Sequence, residues 1–387
     1  MSAVEMLPVS AFDTDTLLSE IKKWVEFETP SDRPDLISHL LDYVESLYKG
    51  YDVTCERLPP VARRGGQLIL RYNPSRSSAA PVLFMGHVDT VWEAGTLAKR
   101  PYRRDGDRVY GPGIFDMKAG SCLAVMTLLK LASDQIVPSR PVTVFLNSDE
   151  EIGSDASRQT IERLGREASV ILVPEPSFEA PGTVVTARKG WATFRLDVTG
   201  VSAHAGGSLR EGRSAIVELA RQILAIEALM EREPRVTFNV GKIGGGTRGN
   251  VVAEKAWVEI DMRVETMEVA DRVIEELCAL PPFDPAIQLQ LSGEMNRPPF
   301  QRTSQVADLY EWAKRLAKDL GIELGETSRG GVSDGNLVAC LGKPVLDGLG
   351  CSGAGAHALH EHILASTVAP RAALLFALAT QPGFDAR

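Results

Sequence analysis

Over residues 14–28 the apolar side chains Leu17, Leu18, Ile21, Trp24 and Val25 fall at helical spacing behind Thr14 or Asp15 as a cap, which predicts an amphipathic helix. A second helix is predicted over 35–48. The pattern then changes. Apolar runs at 67–72, 81–85, 142–146 and 170–173 predict strands, separated by helices at 117–132 and 156–164. Strands that are apolar throughout, with helices between them, belong to a sheet covered on both faces.

Near Gly190 the texture turns to strict alternation. Residues 191–198 read as a strand with one wet face. A helix at 214–230, strands at 236–243 and 256–264, a helix at 269–280 and a strand at 287–291 follow. This β-α-β-β-α-β order suits a small sandwich of one sheet and two helices. Past Pro298-Pro299 the covered-sheet texture returns, with helices at 305–320 and 368–379. The expected fold is α/β. A mixed, mostly parallel sheet covered by helices occupies residues 1–188 and 301–387, interrupted by an α+β sandwich at 189–300.

Composition adds exclusions. The 387 residues, 44% hydrophobic and 24% charged, are those of a soluble globular protein with room for two domains. With 42 basic and 51 acidic side chains the net charge is 42 − 51 = −9. That balance argues against nucleic acid or an anionic membrane as partner, since both need a basic surface. No apolar run reaches the roughly 18 residues that span a bilayer, and the N-terminus lacks a basic-then-apolar leader. Cys55, Cys122, Cys278, Cys340 and Cys351 are odd in number and show no C-x-x-C spacing. They predict reduced thiols and a cytoplasmic location.

Five short segments carry chemistry. Gly86-His87-Val88-Asp89-Thr90 follows a predicted strand, and residues two apart in extended chain share a side, so Asp89 can touch His87. A carboxylate on the second ring nitrogen fixes the tautomer of a metal-ligating histidine. Asp116-Met117-Lys118 precedes an apolar helix, where an aspartate can also be a simple N-cap. Ser148-Asp149-Glu150-Glu151 and Pro174-Glu175-Pro176 place acids just after buried strands, where α/β sheets bind ligands. Gly355-Ala356-His357-Ala358-Leu359-His360-Glu361-His362 concentrates three of the six histidines. Singly, each reads equally well as a polar strand end, a cap or a solvated turn. Jointly, His87, Asp89, Asp116, Glu150, Glu151, Glu175 and His357 make the imidazole and carboxylate set of a first-row metal site, with room for two metals sharing a carboxylate.

In this order the segments resemble the M20 family of metallopeptidases, in its glutamate carboxypeptidase (carboxypeptidase G2-like) branch, from the first helix to the last. The resemblance implies two zinc ions, with manganese or cobalt as alternatives, bridged by Asp116. His87 and Glu175 would complete one site, Glu151 and His357 the other. It implies Glu150 as general base and Asp89 as the residue orienting His87. The family pattern of histidine, three residues, then glutamate is matched by His357 and Glu361, so the resemblance implies His357 as the ligand ahead of His360 and His362. The insert resembles the family's dimerisation lid. Ser202-Ala203-His204-Ala205-Gly206 matches a motif whose histidine reaches the partner subunit's active site. Asn250 and Arg263 match lid residues that bind the substrate carboxylate or amide oxygen, and Arg297 is a further candidate. The substrate implied is a small molecule or short peptide with a free carboxylate, cleaved at an amide. A non-peptide amide is the alternative. Leu209, Ser214, Phe115 and Val332 depart from the family pattern without replacing an implied ligand.

A rival is the string Gly331-Val332-Ser333-Asp334-Gly335, a G-x-S-x-G match followed by Asp347 and His357 in serine-hydrolase order. Its nucleophile elbow needs a strand just before it, whereas residues 326–330 are polar and end in glycine. The reading also leaves His87, Asp116 and the Glu150-Glu151 pair idle.

Overall fold

Apolar runs of the first half become the centre of a sheet. Its strands in that half are β1 (Thr54–Leu58), β2 (Gln67–Tyr72), β3 (Val82–His87), β4 (Val142–Asn147) and β5 (Val170–Leu172). The insert contributes β6 (Gly190–Thr199), β7 (Val236–Gly245), β8 (Lys255–Val264) and β9 (Gln288–Arg297), and β10 (Val345–Leu346) follows. These come from a computed structural model that describes residues 4–177 and 182–384.

The first sheet runs β1-β2-β4-β3-β5-β10. β3 pairs in parallel with β4 and β5, and β5 with β10, while β2 is antiparallel to β1 and β4. β3, β4 and β5 are buried at every residue, as their unbroken apolar runs require. Because they are parallel, their C-terminal ends open on one edge. That edge receives His87, the acid turn after Asn147 and the chain leading to Glu175.

Helices cover the sheet: α1 (Thr14–Glu26), α2 (Pro34–Ser46), α3 (Ala119–Ser133) and α4 (Arg158–Glu167) early, with α7 (Ser304–Asp319), the short α8 (Gly335–Ala339) and α9 (Val368–Thr380) late. Trp24, Phe84, Leu123, Leu128, Val144 and Phe376 share one core. α3 and α9 are apolar around most of their circumference and accordingly lie inside. Two ends differ from expectation. Asp13, which accepts from Thr16 N at 2.7 Å, caps α1 in place of Thr14 or Asp15. α3 begins at Ala119, and Asp116 before it is extended (φ −116, ψ 98), so it is no helix cap.

The insert forms a four-stranded antiparallel sheet, β7-β8-β6-β9, with α5 (Ala215–Arg232) and α6 (Met267–Cys278). Alternate residues of β6 and β8 pack Phe194, Leu196, Val258 and Ile260 against Leu219, Ile226, Val269 and Val273 in a core of their own. The entering and leaving chains pair, Arg188 N donating to Phe300 O at 2.8 Å and Phe300 N to Arg188 O at 3.0 Å. By its contacts this unit comprises Arg188–Gln301 and also Arg329–Val332, a piece outside the expected 189–300. Lys189 N donates to Arg329 O at 2.9 Å, a main-chain pairing that leaves no compositional trace. The remaining unit is Met1–Ala187, Arg302–Ser328 and Ser333–Arg387.

Candidate metal centre

His87 ends β3 with its ring buried. Its Nδ1 meets the main-chain oxygen of Asp89 at 2.9 Å, with Asp89 Oδ1 at 3.4 Å. Orientation of the ring therefore rests first on a carbonyl, and the Asp89 carboxylate stands behind it. On the other side Nε2 faces Asp116 Oδ1 at 3.4 Å and Glu175 Oε1 at 3.7 Å. The second oxygen of Asp116 lies 3.3 Å from His357 Nε2, which is 3.0 Å from Glu151 Oε2. Asp116 thus stands between two imidazoles and offers one oxygen to each.

These groups satisfy one another only in part. His87 Nε2 and Glu151 Oε1 are buried without a hydrogen-bond partner, and such orphans call for an unseen partner. His87, Asp116 and Glu151 each offer a ligand atom, all within 4.8 Å of one another. Charges tell the same story. Hydrogen bonds to Asp116 and Glu151 push the His357 pKa up to about 10. Burial pushes the Glu151 carboxyl up to about 7 against the pull of His357. Burial works to lower His87, yet Asp116 and Asp89 outweigh it and raise it well above the usual range. Without a cation, protonated imidazoles must balance the carboxylates; a divalent ion would do so with neutral rings. Imidazole with carboxylate suits zinc and its first-row neighbours.

The three adjacent acids after β4 have separate places. Asp149 turns inward, its Oδ2 accepting from Ala156 N at 2.8 Å and Ser157 N at 3.3 Å. Glu150 and Glu151 open a short turn (Glu150–Ile152) whose first two N–H groups donate to Asp89 Oδ1 and Oδ2, both at 3.3 Å. Asp89 also accepts from Ser31 Oγ at 2.7 Å. Asp334 accepts from Ser154 Oγ at 2.5 Å and from the Asn147 amide, bracing the same turn from behind. Ser31, Asn147 and Asp334 in these supporting places were not foreseen. His360 is exposed, while His362 packs its ring 5.3 Å from that of Tyr110. His357 alone of the three meets Asp116 and Glu151.

Residues 83–381 match peptidase family M20/M25/M40. The chain belongs to this family. Carboxypeptidase G2 of Pseudomonas sp. strain RS-16 is 28% identical over 359 residues, covering 92% of this chain and 86% of the relative. A succinyl-diaminopimelate desuccinylase of Delftia acidovorans is 27% identical over 346 residues, covering 82% and 86%. Among solved structures, aminopeptidase PepT of Bacillus cereus superposes with a TM-score of 0.79 at 21% identity, covering 95% of this chain and 98% of that one. Human carnosine dipeptidase 1 gives 0.65 at 14% identity, covering 96% and 97%. The two structural likenesses bear on the fold alone.

As an M20 peptidase the chain is a hydrolase of amide bonds, and the serine-hydrolase reading falls. Residues Gly325–Arg329 do form a strand, against the expectation from their polarity. Ser333, however, is fully buried, and its Oγ donates to Asp347 Oδ2 at 2.6 Å instead of meeting an imidazole. His357, the histidine that reading needs, is the one beside Asp116. Within the insert, His204 is exposed with Nδ1 accepting from Gly206 N and Gly207 N, both at 3.1 Å. Ala205 N donates to Asn250 O at 3.0 Å, bringing the exposed Asn250 to the same loop pair. The fork of Arg263 is taken by Asp261 at 2.8 and 3.0 Å, and Arg297 is buried beside Asn296. No helix among the described residues is long and apolar enough to cross a membrane.

Proposed function

We propose that this M20 protein cleaves an amide bond to a free-carboxylate amino acid, as a glutamate carboxypeptidase or N-acyl amino acid hydrolase, at a centre holding two divalent ions. One observation carries the reading: Asp116 presents one oxygen towards His87 and the other towards His357, and each imidazole has its own further carboxylate, Glu175 or Glu151. His87, Glu175 and Asp116 would hold one ion, and Glu151, His357 and Asp116 the other. Bound there, zinc, manganese or cobalt supplies Lewis acidity and lowers the pKa of water towards neutrality.

The chain's own residues do the rest. Glu150 takes a proton from the attacking water and returns it to the departing amide nitrogen, so no net proton is consumed at the carboxylate. Asp89 holds Glu150 and Glu151 in place by their N–H groups and steadies His87. His204, supplied by the partner subunit of a homodimer, supports the oxyanion of the tetrahedral intermediate. Exposed apolar residues of the insert favour such a dimer: Val217 and Leu224 on α5 and Ile243 on the edge strand β7. Asn250 faces solvent beside His204 and serves the carboxylate-bearing half of the substrate. Arg263 could join it only by releasing Asp261, and Arg297 only from its enclosed place. Relatives support the substrate class, one a carboxypeptidase by name and one a desuccinylase.

Metal analysis and a panel of N-acyl amino acids test this together. Chelation should abolish turnover, and two equivalents of zinc, manganese or cobalt should restore it. Glu150→Gln should retain both ions while kcat falls about 10²–10⁴-fold. Turnover that survives chelation, or activity confined to amides without a carboxylate, would overturn the reading.

A further inference from the structure

Glu361 lies four residues beyond His357 and is completely buried; the nearby buried Lys118 ammonium donates to Phe27 O and acts on Glu361 through its field alone. Its partners are four N–H groups. Oε2 accepts from Trp92 Nε1 at 2.7 Å and Gly113 N at 2.9 Å; Oε1 accepts from Phe115 N at 3.0 Å and Asp116 N at 3.2 Å. Three of the four donors belong to the irregular segment that carries Asp116, which begins at Gly113 in the left-handed region (φ +69), closes with a wide turn from Lys118 N to Gly113 O at 3.0 Å, and leaves helical geometry at Asp116 and Met117. Glu361 itself is bound into the loop of His357, its N–H donating to Ala358 O at 3.0 Å.

We infer that Glu361 is a positioning residue that ties the main chain of Asp116 to the loop of His357, and so sets the half of the centre made by Asp116, His357 and Glu151. The inference rests on the two-ion reading above. Chemistry explains why a carboxylate stands here. Each oxygen receives two donors, and only an ionised carboxylate accepts at all four places. A glutamine of the same shape would turn an NH₂ group towards two N–H groups. Burying a charge without a paired counter-ion is costly, and a neutral side chain could fill this space if filling were all that was required. The other half of the centre shares Asp116 but takes its remaining ligands, His87 and Glu175, from β3 and from the chain after β5, which Glu361 does not touch.

Zinc titration against a competing chelator, on the full-length metal-free protein, separates the possibilities. Wild type should bind two ions; if it binds none, the two-ion reading fails and not this one. In Glu361→Gln both sites should weaken, because they share Asp116, but the site that also depends on the His357 loop should lose at least about tenfold more than the other, with kcat recovering in excess metal. Glu218→Gln removes another buried carboxylate, which accepts from Gln222 and Phe283 in the insert. It should lower the melting temperature without moving either zinc affinity. Should Glu361→Gln fail to fold, Trp92→Phe removes one donor and should show the same unequal weakening in milder form. Equal weakening of both sites, or unchanged affinities in a folded variant, would overturn the inference.

Discussion

Gly120, in the first turn of α3, has no space for a side chain. A Cβ built there would stand 1.8 Å from Pro174 O, on the chain that delivers Glu175. Alanine in a helix interior normally gains up to about 1 kcal/mol over glycine, but overpacking against backbone costs about 1–3 kcal/mol, so the clash wins. Gly120→Ala should lower the stability of the metal-free protein to urea by about that amount and weaken zinc binding through Glu175. Gly331→Ala, with nothing within 4 Å of its Cβ, should do neither. Unchanged zinc affinity in a destabilised Gly120→Ala would separate helix packing from the placement of Glu175. At this scale the ligand candidates were legible only as a set, since each segment by itself also reads as a polar strand end, a cap or a solvated turn. Their supports were not. Ser31 reaches Asp89 across 58 positions, Ser154 and Asp334 meet across 180, and Glu361 meets Asp116 across 245.

Helices and long strands announce themselves by period, and short elements do not. β2 begins and ends where its apolar run does, and α5, α6 and α7 lie within a few residues of expectation. Strands Arg103–Asp105, Arg108–Tyr110, Gly353–Ala354 and His362–Leu364 are two or three residues long and partly polar, yet they make a sheet, and the His357 loop connects its last two members. Their register comes from pairing partners such as His362 with Tyr110, which no local pattern encodes. Caps are similarly local in effect. Glu233, just past α5, accepts from Arg235 at 2.8 Å and pairs with Arg272. Hydrogen bonds from Arg235, with the field of both arginines, hold its carboxyl at about 2, below the ordinary 4.5. A depressed pKa of this kind contributes stability that is complete above the unfolded value and is lost as pH falls through the folded one. The melting temperature of Glu233→Gln should therefore lie below wild type by a constant margin above about pH 5, and the margin should shrink from about pH 4.5 towards 2. A margin that widens on acidification would contradict the assignment.

At the scale of the whole chain, the change of texture near Gly190 and its return past Pro298-Pro299 predict an interrupted domain, and the described residues form two hydrophobic cores. Among the described residues, none between Arg188 and Gln301 belongs to the core around α3 and α9, and the insert's core draws on none outside it. Where the chain enters and leaves the insert, Arg188 and Phe300 exchange two main-chain hydrogen bonds, and a Cβ on Gly190 would meet Pro299 Cδ at 2.8 Å. The two ends are thus already as close as the ends of a turn, and loop closure over so short a gap is cheap. Removing the chain from Trp191 to Pro298 and joining Gly190 to Pro299 through a short glycine-rich turn should leave a protein that folds and binds two zinc ions. The same protein should be monomeric by light scattering and should turn over no N-acyl amino acid, because His204 and Asn250 leave with the insert. Retained turnover would place oxyanion and carboxylate recognition within the α/β unit itself. Loss of zinc binding in a folded, shortened chain would mean that the ligand edge, although built from β3, β4, β5 and their following loops, owes its geometry to the insert as well.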